Sequence, residues 1–197
     1  MRHLLAVCVV CACSGVARGG TILINVGFET GQLTPWFHGI DGMNGPTLLW
    51  VVTDTDSHDG AYSAMNVGNN EIRQTFSPVP TSLIDEVSYW IKRPDPGAPP
   101  FSATRFWYSD STSNSHFSGP VVYDGWIFID ATPGLIQGKN LVGVGIFGYS
   151  ASGGDRTFLD SLRVDVIPEP SSWILALTAA VCLWRRLLRT RQPCSSA

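Results

Sequence analysis

Phe158-Leu159-Asp160-Ser161-Leu162-Arg163-Val164-Asp165-Val166 places Phe158, Leu162, Val164 and Val166 at one parity, with Asp160 among them. Leu141-Val142-Gly143-Val144-Gly145-Ile146-Phe147 has the same rhythm, with Val142, Val144 and Ile146 on one face. A period of two is the mark of a strand that buries one face. Val87, Tyr89 and Ile91 alternate with Ser88, Trp90 and Lys92, and Ile22, Ile24 and Val26 alternate with Leu23 and Asn25. Shorter candidate strands cover residues 48–52, 71–76, 105–108 and 126–130, the second with its charges exposed on one face. Breakers separate the runs: Pro78-Val79-Pro80, Pro94-Asp95-Pro96-Gly97, Pro99-Pro100 and residues 150–154. Residues 110–120 are a Ser-rich polar loop. No stretch in the body sustains helical periodicity. About eight to ten short strands at regular spacing predict an all-β fold, a jelly-roll β-sandwich.

The chain has 197 residues with 20 glycines and 13 prolines, consistent with one domain of ordinary size plus terminal extras. A hydrophobic fraction of 44% with 11% aromatics excludes a disordered chain. The five cysteines are Cys8, Cys11, Cys13, Cys182 and Cys194, all near the ends. The body therefore has no disulfide framework, zinc–thiolate site or cysteine nucleophile. From Gly20 to Ile167, seven Lys or Arg face 15 Asp or Glu, a balance of -8 within a chain of net charge -3. Such a body is a poor partner for phosphate backbones, so nucleic-acid binding is not expected.

The ends read as addresses. Residues 1–19 form a signal peptide, with Arg2, an apolar run from Leu4 to Cys13, and small residues at Gly15 and Ala17. Val10-Cys11-Ala12-Cys13 leaves a lipidated Cys13 open as an alternative. Residues 20–166 are the sandwich, and residues 167–197 form a third region. It begins Ile167-Pro168-Glu169-Pro170-Ser171-Ser172, an extended linker by its prolines. An uncharged run of 12 residues follows, from Trp173 to Trp184. It is short of the roughly 20 residues that cross a bilayer, unless flanking serines and leucines extend it with snorkelling arginines. Arg185, Arg186, Arg189 and Arg191 then form a basic tail that stays cytoplasmic by the positive-inside rule.

The ordered triple of Pro168-Glu169-Pro170, an apolar helix and an Arg-rich tail resembles the PEP-CTERM sorting signal. The resemblance implies export, an inner-membrane intermediate with a transmembrane helix, and cleavage near the motif by an exosortase. The final place would be the cell surface, outer envelope or extracellular matrix. The apolar run is short for that signal, and six residues follow the last arginine. A plain tail anchor is the alternative.

The body carries a second resemblance. Leu23-Ile24-Asn25-Val26-Gly27-Phe28-Glu29, followed by Gly31 and Trp36, looks like the opening of jelly-roll carbohydrate-binding (galactose-binding-like) modules. Ser57-His58-Asp59-Gly60-Ala61-Tyr62-Ser63, Ile72-Arg73-Gln74-Thr75-Phe76 and Phe158-Leu159-Asp160-Ser161-Leu162-Arg163-Val164 look like later elements of those modules, in order. The resemblance implies a structural calcium held by Glu29, Asp160 and oxygens around Asp59. By parity Asp160 should face the core, where a carboxylate is costly unless paired or bound to a cation. The bland alternative has Asp160 capping a turn or paired with Arg156, and Glu29 solvated.

Asp54-Thr55-Asp56-Ser57-His58-Asp59-Gly60 mimics an EF-hand loop, but its glycine is out of register and the distal glutamate is missing, so it reads as an acidic turn. His38, His58 and His116 show no zinc spacing. No Gly-x-Ser-x-Gly elbow occurs. Nothing in the sequence sets Glu71, Asp85 or Glu86 across one cleft as a glycosidase pair. Trp107, Tyr108 and Trp126 are the expected sugar platforms, since adjacent aromatics occupy both faces of their strands. The expected function is a noncatalytic, exported envelope or matrix protein that binds polysaccharide. A secreted hydrolase of cell-surface polymers and a purely structural or adhesive module are the alternatives.

Overall fold

The computed structural model describes residues 20–39, 50–67, 70–93, 102–118, 125–148 and 156–167. The region read as signal peptide and, beyond Ile167, the region read as sorting signal lie outside these residues, including Pro168, Glu169, Pro170 and the four arginines of the basic tail. Among the described residues, no helix is long and apolar enough to cross a membrane.

Among the described residues, ten strands form two sheets. They are β1 (Phe37–Gly39), β2 (Val51–Thr53), β3 (Ser63–Val67), β4 (Asn70–Pro80) and β5 (Ile84–Lys92), followed by β6 (Ala103–Tyr108), β7 (Ser113–Phe117), β8 (Trp126–Asp130), β9 (Asn140–Gly148) and β10 (Arg156–Val166). One sheet has the order β1-β4-β9-β6-β7 and the other β2-β3-β10-β5-β8. Every strand pairing among the described residues is antiparallel. The chain changes sheet repeatedly, from β4 to β5 to β6 and again through β7, β8, β9 and β10. The fold is thus an all-β, two-sheet sandwich.

The core lies between the sheets. Ile72, Phe106, Val144 and Ile146 come from the first sheet, and Val87, Tyr89, Ile91, Leu159 and Val164 from the second; all are buried. Each such side chain contributes roughly 1.5–3 kcal/mol on burial. The Tyr89 hydroxyl lies 2.7 Å from Ser102 Oγ and accepts from Thr104 Oγ1 at 3.1 Å, so its polar tip is satisfied inside the core.

Three expectations are corrected. Thr21 to Val26 is not a regular strand: Thr21 bridges Asp165, and Asn25 and Phe28 take left-handed φ values of 54° and 58°. The expected parity is inverted too, with Leu23 buried and Ile24 exposed. The Gln74 carboxamide replaces a strand partner by clamping Ile24, accepting from its N–H and donating to its carbonyl, both at 2.9 Å. The Ser-rich loop contains β7, whose alternating exposure fits a half-buried edge strand. The parity of Asp160 breaks at a bulge. The register shifts between Asp160 and Arg163, and Ser161 takes a φ of 51°. Leu159, Leu162 and Val164 then face the core, while Phe158 and Asp160 point away from it. Asp160 pairs across the sheet with Trp90, and Phe158 with Lys92, both on the outer side.

Candidate functional site

Asp160 is nonetheless fully buried, because the turn after β2 folds over it. Its Oδ2 accepts from the backbone N–H of His58 at 2.9 Å and of Asp59 at 3.1 Å, and its Oδ1 accepts from Ser161 N–H at 2.6 Å. Burial raises its pKa, and these amides pull the other way. Glu29 holds the same turn from the other side, accepting from Ala61 N–H at 3.1 and 3.0 Å and from Tyr62 N–H at 3.1 Å. Gly60, at φ +71°, packs so tightly on the Glu29 carboxylate that a Cβ would overlap it. A Cβ on Gly27 would stand 3.5 Å from Asp160 Oδ1 and 3.6 Å from Glu29 Cγ, so this glycine separates the two acids.

A pocket of about 260 Å³ opens there, lined by Val26, Gly27, Glu29, Asp59, Gly60, Ser161 and Arg163. The acids and the Ser161 hydroxyl form an oxygen-donor set suited to a hard cation. Among the described residues, no three His, Cys, Asp or Glu side chains converge closely enough to hold an ion by themselves. A cation would therefore need backbone or water oxygens as well. The turn-capping alternative for Asp160 is realised in these hydrogen bonds. Glu29 is exposed, yet it is bonded to the turn rather than merely solvated.

The expected aromatic platforms separate. Tyr108 is a correction: it is 2% exposed, and its hydroxyl donates to Asn114 Oδ1 at 2.8 Å and accepts from Ile136 N–H at 2.9 Å. Its parity on β6 is that of Phe106, so it fills the sandwich. Trp126 lies on the other sheet, paired with Lys92. Its indole N–H donates to Asp56 Oδ1 at 3.1 Å, while Lys92 Nζ pairs with Asp56 Oδ2 at 2.7 Å. His58 stacks on Trp90 with ring centroids 3.8 Å apart and meets Trp126 edge-on at 5.8 Å. This group fastens the turn that covers Asp160.

Trp107 has different company. On the outer face of the first sheet it lies with Phe37 (β1), Glu71 and Arg73 (β4), Gly143, Gly145 and Phe147 (β9) and Arg105 (β6). The register explains why: Arg73 pairs with both Phe37 and Gly145, Gly145 with Arg105, and Gly143 with Trp107. The two glycines leave a bare strip on β9 over which neighbouring side chains lie flat. A Cβ on Gly145 would overlap Glu71 Oε1 and approach Trp107 Cη2 at 2.8 Å. The Arg73 guanidinium is sandwiched, 4.7 Å from the Phe37 ring centroid and 4.6 Å from that of Trp107. Arg105 lies 4.9 Å from the Phe147 ring.

Glu71 sits beneath this layer at 2% exposure, although the sequence reading put its charge in solvent. Arg105 Nη1 is 3.8 Å from Glu71 Oε2. Glu71 Oε1 and Arg73 Nε are both buried without a hydrogen-bond partner. Burial pushes the Glu71 carboxyl up to about 7, and the charge of Arg73 only partly opposes it. Sequence reasoning missed Phe37, Glu71 and Arg73 as site residues. The available signal was two i, i+2 pairs, Glu71/Arg73 and Gly143/Gly145, on strands that turn out to be neighbours.

No family model matches the chain, and no curated protein matches it. Solved structures do. The CBM22-1 xylan-binding domain from Paenibacillus barcinonensis Xyn10C matches with a TM-score of 0.53 at 16% identity, over 77% of this chain and 97% of that one. The C-terminal family 22 carbohydrate-binding module of Clostridium thermocellum Xyn10B matches with a TM-score of 0.53 at 12% identity, over 76% and 96%. An enzymatically active domain of bacteriophage CBA120 tailspike protein 4 matches with a TM-score of 0.54 at 12% identity, over 75% of this chain and 21% of that one. The chain thus has a carbohydrate-binding-module-like β-sandwich. At these identities the likeness concerns the fold.

Proposed function

We propose that the protein is a noncatalytic polysaccharide-binding protein that engages its ligand on the outer face of the first sheet. One observation carries this reading. Trp107 and Phe37 flank an arginine, with a buried acceptor, Glu71 Oε1, and a buried donor, Arg73 Nε, unpartnered beside them. A pyranose offers C–H faces to aromatic rings and hydroxyls that both donate and accept, which matches this set. A glycosidase needs two carboxyls flanking one bond. Glu71 is the sole carboxylate in the five strands of this sheet, which favours binding over hydrolysis.

We also propose that Glu29, Asp160 and oxygens around Asp59 bind a structural calcium that braces the turn. Calcium would supply charge compensation for two acids close to Gly27; it takes no part in recognition. Finally, the protein is exported and sorted through Pro168-Glu169-Pro170 by an exosortase. Glu169→Ala should then remain unprocessed in an exosortase-bearing host, and normal processing would refute the sorting reading. For the binding reading, a glycan array with the purified protein should give hits that Trp107→Ala removes and Trp126→Phe keeps. Hits retained by folded Trp107→Ala would place binding elsewhere.

A further inference from the structure

The charge on the proposed binding face differs from that of the rest of the body. Between Gly20 and Ile167 acids outnumber bases by 15 to seven. Two of those seven bases, Arg73 and Arg105, lie on this one sheet face with Glu71 as the only acid in its strands. Elsewhere among the described residues, Lys92 is paired with Asp56 and Lys139 with Asp110. The strands of the other sheet carry Lys92, Arg156 and Arg163 against Asp85, Glu86, Asp130, Asp160 and Asp165, so the excess of base lies in the strands of this sheet. Neither arginine is placed as a neutral sugar alone would require. A sugar ring needs an aromatic plane, whereas a planar guanidinium fits a carboxylate through paired N–H donors. The Arg73 guanidinium is held against both Phe37 and Trp107, so it offers those donors with less rotamer entropy left to lose.

Building on that binding reading, we infer that the ligand of this face is an acidic polysaccharide whose carboxylate pairs with Arg73, with Glu71 buried beneath as the acid that sets the charge of the face. Arg73 stands beside Glu71 on β4, and Arg105 approaches from β6. Strand β9 contributes the uncharged Gly145 and Phe147. On β1, His38 pairs with Ile72 and has the opposite parity, its Nδ1 buried without a partner and its pKa lowered by burial. Neutral His38 thus adds no charge near neutrality. The state of Glu71 then sets the local balance: two positive charges against none when it is protonated, against one when it is ionised. An anionic ligand is favoured by the first state. Its affinity should fall as pH rises through about 7.

The test compares purified full-length protein on polygalacturonate, on the same polymer fully methyl-esterified, and on polyglutamate, by affinity electrophoresis at pH 6 and pH 8. Polygalacturonate should bind at least about tenfold more tightly than its ester at pH 6, a difference of about 1.4 kcal/mol. That preference should shrink at pH 8. Arg73→Gln should abolish it, and Glu71→Gln should keep it while removing its pH dependence. Polyglutamate should bind weakly, because it has no ring to stack. Equal binding of acid and ester would overturn the anionic assignment yet leave polysaccharide binding intact. Equal binding of polyglutamate and polygalacturonate would mean attraction by charge alone and would overturn both. A preference that does not change with pH in the unaltered protein would remove Glu71 from the proposal.

Discussion

At the scale of single residues, two buried carboxyls behave differently because their partners differ. Asp160 is wrapped by three backbone amides. Asp160→Ala leaves those donors unpaired in a buried site, at about 1–3 kcal/mol for each that water cannot reach. We expect a loss of about 3 kcal/mol or more in urea unfolding; a loss below about 1 kcal/mol would show that the turn is held by its aromatics instead. Glu71 has an unpartnered oxygen, and its folded-state pKa of about 7 exceeds the usual 4.5. The native state therefore keeps a proton that the unfolded chain releases. This contribution is fully present below about pH 4.5 and is lost as pH rises through about 7, at about 1.4 kcal/mol per unit of displacement. Glu71→Gln should gain on the unaltered protein between pH 5 and pH 8, read as the difference in urea midpoints. A constant difference would contradict the buried acid.

At the scale of elements, the bulge in β10 governs which side chains reach the core. Strand β10 was legible from its alternation, but not the bulge: Ser161 carries no turn signal, and period 2 cannot announce the residue at which it resets. Parity alone therefore turns Asp160 toward the core, whereas it points outward under a turn. Ser161→Gly should keep or raise stability, since glycine takes a positive φ without a Cβ clash. Ser161→Val should cost about 1–3 kcal/mol in the same unfolding assay, because a branched side chain resists that conformation. Equal stabilities for the two variants would mean that the bulge relaxes. The loop from Leu23 to Glu29 departs from its alternation for a related reason. Its apolar alternation is real, yet Asn25 and Phe28 leave the β region, and Gln74, distant in sequence, supplies the pairing.

At the scale of the whole molecule, the all-β sandwich could be read from the spacing of runs and breakers, because burial of alternate residues is a local rule. The binding face could not. It depends on which strands become neighbours, and the order β1-β4-β9-β6-β7 brings together Phe37, Glu71, Gly145 and Trp107 from four separate segments. Trp107 was visible as an aromatic at a usable parity; its buried acid was not. The proposed calcium acts at this scale as well. Millimolar calcium should raise the melting temperature and excess chelator should lower it, with Glu29→Gln abolishing the response; identical melting in both conditions would reject the metal. The most direct test of this binding face is calorimetric titration of the protein with its best array ligand, beside folded Trp107→Ala. We predict at least about a tenfold loss of affinity, as for a central aromatic anchor, with an unchanged melting temperature. Unchanged affinity in that variant would contradict the assignment of this face.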